Sequence, residues 1–350
     1  MSLQYSHSSL PTLIEACRSA GYRFAAPVRE GDRTHFGVVT SADALDLDSV
    51  VTDVSAKEFV FARCEAVCDF ARDAKGEISV GDPCESSKPQ PTVIFGARPC
   101  DAAALPILRK VFEWDYPDPF VLRKLDSTLV VTIPCTQTRE TCFCTSVGLA
   151  PDSPQGSDII LHPAQDKGLF VVEPLTGKGR NLVARFPSVF TQGSAKISDA
   201  PHTAGTAMKP RFSPEELAKH LKNSFAEPFW KSAAEACIGC GACAFTCPTC
   251  HCFDIVDEGN QQRGARFKNW DACQFPLFTL HTSGHNPRAE AFERYRQRIM
   301  HKFLYFREKF GSTLCTGCGR CVANCPVGVS MLDIVERAAK LVPAAQGETK

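Results

Sequence analysis

Two cysteine runs of identical spacing lie in the second half of the 350-residue chain. Each reads C-x2-C-x2-C-x3-C-P, which is typical of loops that hold a cubic [4Fe–4S] cluster. In paired runs of this kind, the fourth cysteine usually binds the cluster of the other run. The spacing therefore predicts two clusters with exchanged ligands. The predicted ligand sets are Cys237, Cys240, Cys243 and Cys325 for the first cluster, and Cys315, Cys318, Cys321 and Cys247 for the second.

A zinc site is the main alternative for these runs, because zinc proteins also use C-x2-C pairs. Zinc requires neither the full four-cysteine run nor the proline after it, and here both features occur twice. Glycines inside the runs, such as Gly239 and Gly317, allow tight turns that bring N–H groups close to cluster sulfurs. Iron–sulfur clusters are therefore the better interpretation.

The overall composition excludes several classes of protein. With 39 basic and 39 acidic residues the chain is neutral, so nothing indicates nucleic acid or an anionic membrane as a partner. Its 19 cysteines lie mostly in metal-type spacings, which is typical of a reducing compartment. The N-terminus lacks the basic and apolar regions of a signal peptide, and no apolar run approaches the length that spans a bilayer. We expect a soluble, cytoplasmic protein that binds no membrane.

A βαβ unit is the clearest predicted element of the first half. Residues 92–96 and 128–134 are apolar, β-branched runs that predict buried strands, and residues 102–112 predict the helix between them. Such a unit implies parallel strands. Cys100 and Cys135 should then lie just past the carboxyl ends of two strands, at the edge where open α/β sheets place ligands.

Two more cysteines, Cys142 and Cys144, follow Cys135 in the adjoining loop. Together with Cys100 and Cys135, they could carry a third cluster. Ordinary buried or free thiols are the alternative, since this spacing matches no motif derivable from the residues alone.

Other segments of the first half give weaker signals. Residues 10–21 predict a helix and residues 36–40 a strand. Ser55 could cap a helix that begins near residue 54, with Cys64 and Cys68 placed four apart on it as buried structural thiols. The remaining prediction is a hairpin formed by residues 158–162 and 169–173.

A segment rich in small residues and proline, residues 193–210, predicts a linker between two domains. We expect an α/β domain with a parallel or mixed sheet over residues 1–205. Residues 206–350 should form an α-helical dicluster ferredoxin domain, because residues 292–310 between the runs are rich in helix formers.

Three cysteines outside the runs, Cys250, Cys252 and Cys273, could pack beside the clusters or bind another centre. Packing beside the clusters is the better interpretation, because each predicted cube already has four ligands. The basic segment 288–309 favours a solvated face, with a docking surface or a positive charge near the clusters as alternatives. The histidines in this half are interpreted as hydrogen-bonding or core groups: His251, His281, His285 and His301.

Several motifs together resemble a known family. They are GARPCD at residues 96–101, the Cys135 and 142–144 set, CPTCHCFD at residues 247–254, GHNPR at residues 284–288, and the second cysteine run. This combination resembles the beta subunit of sulfhydrogenases (bidirectional NiFe hydrogenases) and the A-type subunit of anaerobic sulfite reductase, over about residues 54 to 334. One departure is Ala56, where similar sequences tend to have proline.

The resemblance implies an electron-transfer subunit that is not itself catalytic and acts in a hetero-oligomeric complex. Its partners would be a flavin subunit that uses NAD(P)H, and a catalytic subunit of the NiFe hydrogenase, sulfite reductase or heterodisulfide-reductase type. It also favours the third [4Fe–4S] cluster at Cys100, Cys135, Cys142 and Cys144. The alternative is a reductase that acts on its own substrate at an unusual cluster built from the extra cysteines. The chain has no G-x-G-x-x-G after a predicted strand, so no dinucleotide site of that type is expected.

Overall fold

A computed structural model describes residues 2–86 and 88–340, so the last ten residues of the predicted second domain lie outside the described part. The strands are β1 (Ser2–Ser6), β2 (Arg23–Glu30), β3 (Arg33–Val38), β4 (Cys64–Arg72), β5 (Ile78–Gly81), β6 (Thr92–Ala97), β7 (Thr128–Thr132), β8 (Ile159–Pro163), β9 (Leu169–Pro174), β10 (Phe190–Gly193), β11 (Phe253–Gly259) and β12 (Arg263–Trp270). The α-helices are α1 (Leu10–Ser19), α2 (Pro83–Ser86), α3 (Pro99–Ala102), α4 (Ala104–Glu113), α5 (Pro119–Ser127), α6 (Gly177–Arg185), α7 (Ala200–Ala207), α8 (Pro214–Asn223), α9 (Phe229–Ala233), α10 (Ala242–Phe245), α11 (Ala291–Met300), α12 (Phe306–Phe310), α13 (Arg320–Ala323) and α14 (Met331–Ala338).

An eight-stranded mixed sheet occupies the first half of the chain, in the order β10-β1-β9-β8-β7-β6-β2-β3. The central strands β8, β7, β6 and β2 run parallel, and the outer pairs are antiparallel. Strands β6 and β7 are buried along their whole length, as expected of parallel strands covered on both faces. The predicted α/β region is therefore confirmed, as are the hairpin β8–β9, the helix α1 and a strand at β3.

The βαβ unit places Cys100 and Cys135 as predicted. Strand β6 ends at Ala97, and Cys100 lies in α3 directly after it. Strand β7 pairs in parallel with β6 and ends at Thr132, so Cys135 leaves the sheet at the same edge.

A second, four-stranded antiparallel sheet joins the two halves of the chain, in the order β11-β12-β4-β5. Strand β12 pairs with β4 from Arg263↔Ala71 to Asn269↔Cys64. The hairpin β11–β12 lies between the two cysteine runs, so the region after residue 205 is not helical throughout.

The helix predicted from residue 54 is wrong. Only Ala56–Phe59 are helical, as a short 3-10 turn, and Ser55 makes no side-chain cap. Cys64 and Cys68 lie on strand β4, where Cys64 is exposed and Cys68 is half-buried rather than buried. Pairing with β12 supplies main-chain hydrogen bonds that outweigh the local helical preference.

Residues 193–210 contain more regular structure than a linker would. Strand β10 ends at Gly193, and helix α7 covers Ala200–Ala207.

The long helical segment predicted at residues 292–310 is confirmed. It consists of α11, a π-helical stretch at His301–Tyr305, and α12. Within the described part of the chain, no helix is both long and apolar enough to cross a membrane.

Candidate iron–sulfur centres

A small cavity brings cysteines of both runs together. Cysteines of the second run line it with one cysteine of the first: Cys315, Cys318, Cys321 and Cys247. Helix α13 starts inside the second run, and α10 inside the first, and the two short helices pack against each other. This packing carries Cys247 away from its own run and into the other one.

The chemistry of the cavity fits an anionic cluster. Thr316 lines it with a buried hydroxyl that has no hydrogen-bond partner in the described structure, and such a donor can point at a cluster sulfur. Among the described residues, no three Cys, His, Asp or Glu side chains are close enough to share one metal ion. A [4Fe–4S] cube holds its thiolates further apart than zinc does, because each thiolate binds a different iron.

The other three cysteines of the first run lie near the end of the second. Residues 232–236 and 328–333 line one cleft, so the start of the first run and the end of the second lie side by side. Tyr295 of α11 is buried close to the thiols of Cys321, Cys243 and Cys237. This part of the fold therefore brings Cys325 towards the first run. Cys240 is exposed there.

The N-terminal cysteines also come together. Burial raises the pKa of the Cys144 thiol to about 12, and the neighbouring Cys135 and Cys142 thiols add to the shift. Burial likewise raises the pKa of the Cys135 thiol to about 11. The positive charge of Arg98 lowers this pKa, and the neighbouring Cys142 thiol raises it. The Cys100 thiol lies near both Cys135 and Cys318, which links this group to the cavity of the second run.

Two side chains hold the loops of this third group. Arg98 donates from Nη2 to the carbonyls of Leu47 and Ser49, at 2.7 and 2.6 Å. Arg320 in the second run lies 2.8 Å, Nη1 to Oδ1, from the carboxylate of Asp101, and both side chains are buried. Because Asp101 follows Cys100, this ion pair joins the N-terminal group to the second run.

The loop of residues 141–144 packs directly on the glycines of the second run. Phe143 N–H donates to the carbonyl of Gly317 at 2.8 Å. A Cβ added at Gly317 would lie 2.5 Å from Cys144 Cα, and one at Gly319 would lie 2.2 Å from the carbonyl oxygen of Thr141. Both glycines also have a positive φ, so the close approach requires residues without a side chain.

We expect Gly317→Ala to disrupt both neighbouring cysteine groups, since the added methyl group meets main chain that cannot move away locally. Gly311→Ala is the matched control: Gly311 has a similar φ of +71°, but nothing lies within 4 Å of its Cβ position. Gly311→Ala should cost only the conformational strain of about 1–2 kcal/mol. Iron analysis of the two anaerobically purified variants tests this. Equal iron content in both would show that the close packing is unimportant.

Three buried cations surround the thiols of Cys247 and Cys250. Lys302 Nζ lies 3.6 Å from Cys247 Sγ, Arg298 Nη1 lies 3.1 Å from Cys250 Sγ, and Lys57 Nζ lies 2.9 Å from the carbonyl oxygen of Cys250. Within the described structure, their hydrogen-bond acceptors are thiols, hydroxyls and carbonyls. Buried cations need nearby negative charge, so this environment suits thiolates or an anionic cluster.

The interpretation of segment 288–309 as a solvated face is therefore wrong for part of it. Arg294, Arg298 and Lys302 are buried. They repeat every four residues, which places them on one side of a helix. Burial alone would lower the pKa of Lys302. The nearby thiols of Cys247 and Cys250 together have the larger effect, so the pKa of Lys302 is raised overall.

Cys250, Cys252 and Cys273 lie beside the first run. A hydrogen bond from the Cys250 thiol lowers the pKa of Cys247, which agrees with Cys250 packing next to a predicted ligand. Cys252 and Cys273 are neighbours whose thiols shift each other's pKa.

The histidines form two ring pairs, one half-buried and one exposed. His251 and His301 pack edge to face, with ring centroids 5.5 Å apart, and burial lowers the pKa of His251 to about 4. His281 and His285 are exposed. The prediction of hydrogen-bonding or core groups therefore fits His251 and His301 better than the exposed pair.

Sequence reasoning gave positive charge near the clusters only as an alternative for segment 288–309, and it missed the Asp101–Arg320 ion pair. The four-residue repeat of Arg294, Arg298 and Lys302 could have indicated that these cations are buried. Tyr295 and Ile299 lie next to them in the sequence and mark the same side of the helix as buried. No local signal connects Asp101 with Arg320.

Comparison with known proteins agrees with the cysteine pattern. Residues 236–329 match the family of 4Fe–4S dicluster domains. The chain is also 32% identical over 331 residues to sulfhydrogenase 2 subunit beta of Pyrococcus furiosus, a match that covers 93% of this chain and 95% of that protein.

Proposed function

Because the chain belongs to the family of sulfhydrogenase beta subunits, we propose that it is an iron–sulfur subunit that relays single electrons within an oxidoreductase complex. The observation that carries this proposal is the cavity in which Cys247 meets Cys315, Cys318 and Cys321. Four thiols from both runs around one buried space are what a [4Fe–4S] cube with an exchanged ligand requires.

The protein's own groups would hold and tune these centres. A [4Fe–4S] cluster supplies reversible one-electron transfer. In this proposal the second cluster is held by the four cysteines of the cavity, and the first by Cys237, Cys240, Cys243 and Cys325. Lys302 and Arg298 place positive charge beside the ligand sulfurs, which favours the more negative, reduced form.

A third [4Fe–4S] cluster at Cys100, Cys135, Cys142 and Cys144 would extend the relay. Cys100 lies near Cys318, and Cys247 connects the second run with the first, so the three centres would follow one another across the molecule. The first run reaches the surface at Cys240 and at Ile238, which is 65% exposed. This end offers a path for electrons to or from a partner.

We propose two partners for the relay. One is a flavin-containing subunit that uses NAD(P)H, and the other is a catalytic subunit. A NiFe hydrogenase subunit is preferred over a sulfite reductase or heterodisulfide-reductase type, because the relative from Pyrococcus furiosus belongs to a sulfhydrogenase.

Within the chain, residues 1–205 would be the α/β domain, and residues 206–350 the mainly helical ferredoxin domain. The cysteine content suits a reducing cytoplasm.

Iron analysis tests the proposed number of centres. The full chain, purified anaerobically and reconstituted, should contain about twelve iron atoms and as many labile sulfides, since three cubes of four irons are proposed. Cys100→Ser and Cys144→Ser should each reduce the iron content by about four while the EPR signals of the other two clusters remain.

Cys17→Ser is a suitable control, because Cys17 is buried in the core of the N-terminal sheet, away from these groups. It should keep the full iron content. A plateau near eight irons that Cys100→Ser does not change would remove the third cluster from the proposal. A plateau near four would contradict the dicluster assignment itself.

A further inference from the structure

Of the three cysteines that lie beside the first run, two have no role in the proposed relay. Cys252 and Cys273 belong to neither cysteine run nor to the N-terminal group. Cys250, by contrast, is occupied by contacts with Arg298 and Cys247. Cys252 and Cys273 are both half-buried, and each thiol is close enough to the other to shift its pKa.

The hairpin β11–β12 brings these two thiols together. Phe253 pairs with Trp270 at its open end, and the N–H of Asp271 donates to the carbonyl of Cys252 at 3.0 Å. The chain then turns so that Cys273 meets Cys252. Because the contact is built on a paired ladder, the two sulfurs are held near each other rather than meeting by chance.

A buried glutamine connects this pair with the first cysteine run. The side-chain amide of Gln274 donates from Nε2 to Cys273 Sγ at 3.6 Å. Its Oε1 lies 3.9 Å from the thiol of Cys237, which donates to it. Gln274 is 1% exposed. The Cys252–Cys273 pair is therefore one side chain away from a proposed ligand of the first cluster.

The two thiols differ in character. A hydrogen bond from the Cys252 thiol lowers the pKa of Cys273 to about 5. The same contact raises the pKa of Cys252. A thiolate next to a protonated thiol is the arrangement from which a disulfide forms most easily.

We propose that Cys252 and Cys273 form a reversible disulfide that acts as a two-electron redox site beside the first cysteine run. On oxidation, one S–S bond forms, and the pair gives up two electrons together with the protons that its thiols carried. The electrons pass one at a time to the iron–sulfur clusters, and the protons pass to solvent. Reduction reverses each step. The choice of electron acceptor rests on the proposed function, whereas formation of the bond does not.

Thiol trapping of the whole protein tests the proposal. Anaerobic, cluster-loaded protein is equilibrated in glutathione buffers of stepped potential, and free thiols are blocked with N-ethylmaleimide before peptide mapping. We expect a peptide cross-linked between Cys252 and Cys273. Its ratio to the blocked form should change tenfold for about every 30 mV, as a two-electron couple requires. Cys252→Ser and Cys273→Ser should each abolish the cross-link and leave the iron content unchanged.

Cys64 and Cys68 provide an internal control in the same sample. They lie on one strand, four residues apart, so their Cα atoms are about 13 Å from each other and cannot be bridged. They should form no cross-link with each other at any potential.

Two results would overturn the proposal. If Cys252→Ser or Cys273→Ser lowers the iron content, these cysteines bind metal instead. If both wild-type thiols are blocked at all potentials while iron is unchanged, they form no redox couple. A protein that forms the cross-link but binds no iron would contradict only the proposed electron relay.

Discussion

Cys247→Ala will remove the same EPR signal as Cys318→Ala, although Cys247 belongs to the other cysteine run. The cavity explains this expectation, because Cys247 lines it together with the three leading cysteines of the second run. Loss of one of four thiolates exposes an iron of the cube and should cost about four irons per chain after anaerobic purification. EPR of the dithionite-reduced variants is the measurement.

The reciprocal pair completes the test. Cys325→Ala and Cys240→Ala should remove the other dicluster signal, and Cys64→Ala, on the exposed strand β4, should remove neither. If Cys247→Ala and Cys240→Ala instead lose one common signal, each run closes its own cube, and the ligand exchange is wrong.

Arg320→Met should destabilise the fold strongly, although it leaves every cysteine intact. Arg320 is 1% exposed, and Nη2 donates to Asp101 Oδ2 at 2.9 Å, while Nε donates to the carbonyl of Thr52 at 2.7 Å. Methionine would leave the Asp101 carboxylate buried without a counter-ion, which costs about 3–5 kcal/mol. Urea unfolding of cluster-loaded protein, followed by tryptophan fluorescence and cluster absorbance, measures the loss.

Arg211→Met is the matched control, because Arg211 also pairs with a carboxylate, that of Glu336, but is 42% exposed. It should cost about 0–1 kcal/mol. The double variant Arg320→Met with Asp101→Leu removes both charges and should recover much of the stability. A single variant as stable as the control would mean that Asp101 finds another partner or a proton.

The parts of the fold that could be predicted depend on short-range patterns. The apolar runs of β6 and β7 and the helical segment between them fixed the positions of Cys100 and Cys135. The cysteine runs likewise encode their chemistry within a dozen residues, and residues 236–329 match a dicluster domain. In both cases the pattern that carries the prediction lies within a short stretch of the chain.

The features that were missed depend on contacts between distant segments. Cys64 and Cys68 lie on a strand because Asn269 and Arg266 pair with them. Local helical preference, a weak effect, cannot compete with a ladder of this length. Arg298 looked like a surface residue because its compensating groups are thiols, which carry no charge in a sequence count.

The second sheet also has a consequence for how the chain is synthesised. Strand β4 pairs with β12, roughly 200 residues later in the chain. At a translation rate of about 5–20 residues per second, β4 emerges from the ribosome about 10–40 s before its partner exists. Until then, the hairpin β4–β5 presents an unpaired edge that can join other nascent chains. The growing polypeptide therefore has to be shielded over that interval, and a pause or truncation between residues 72 and 263 would leave an aggregation-prone product.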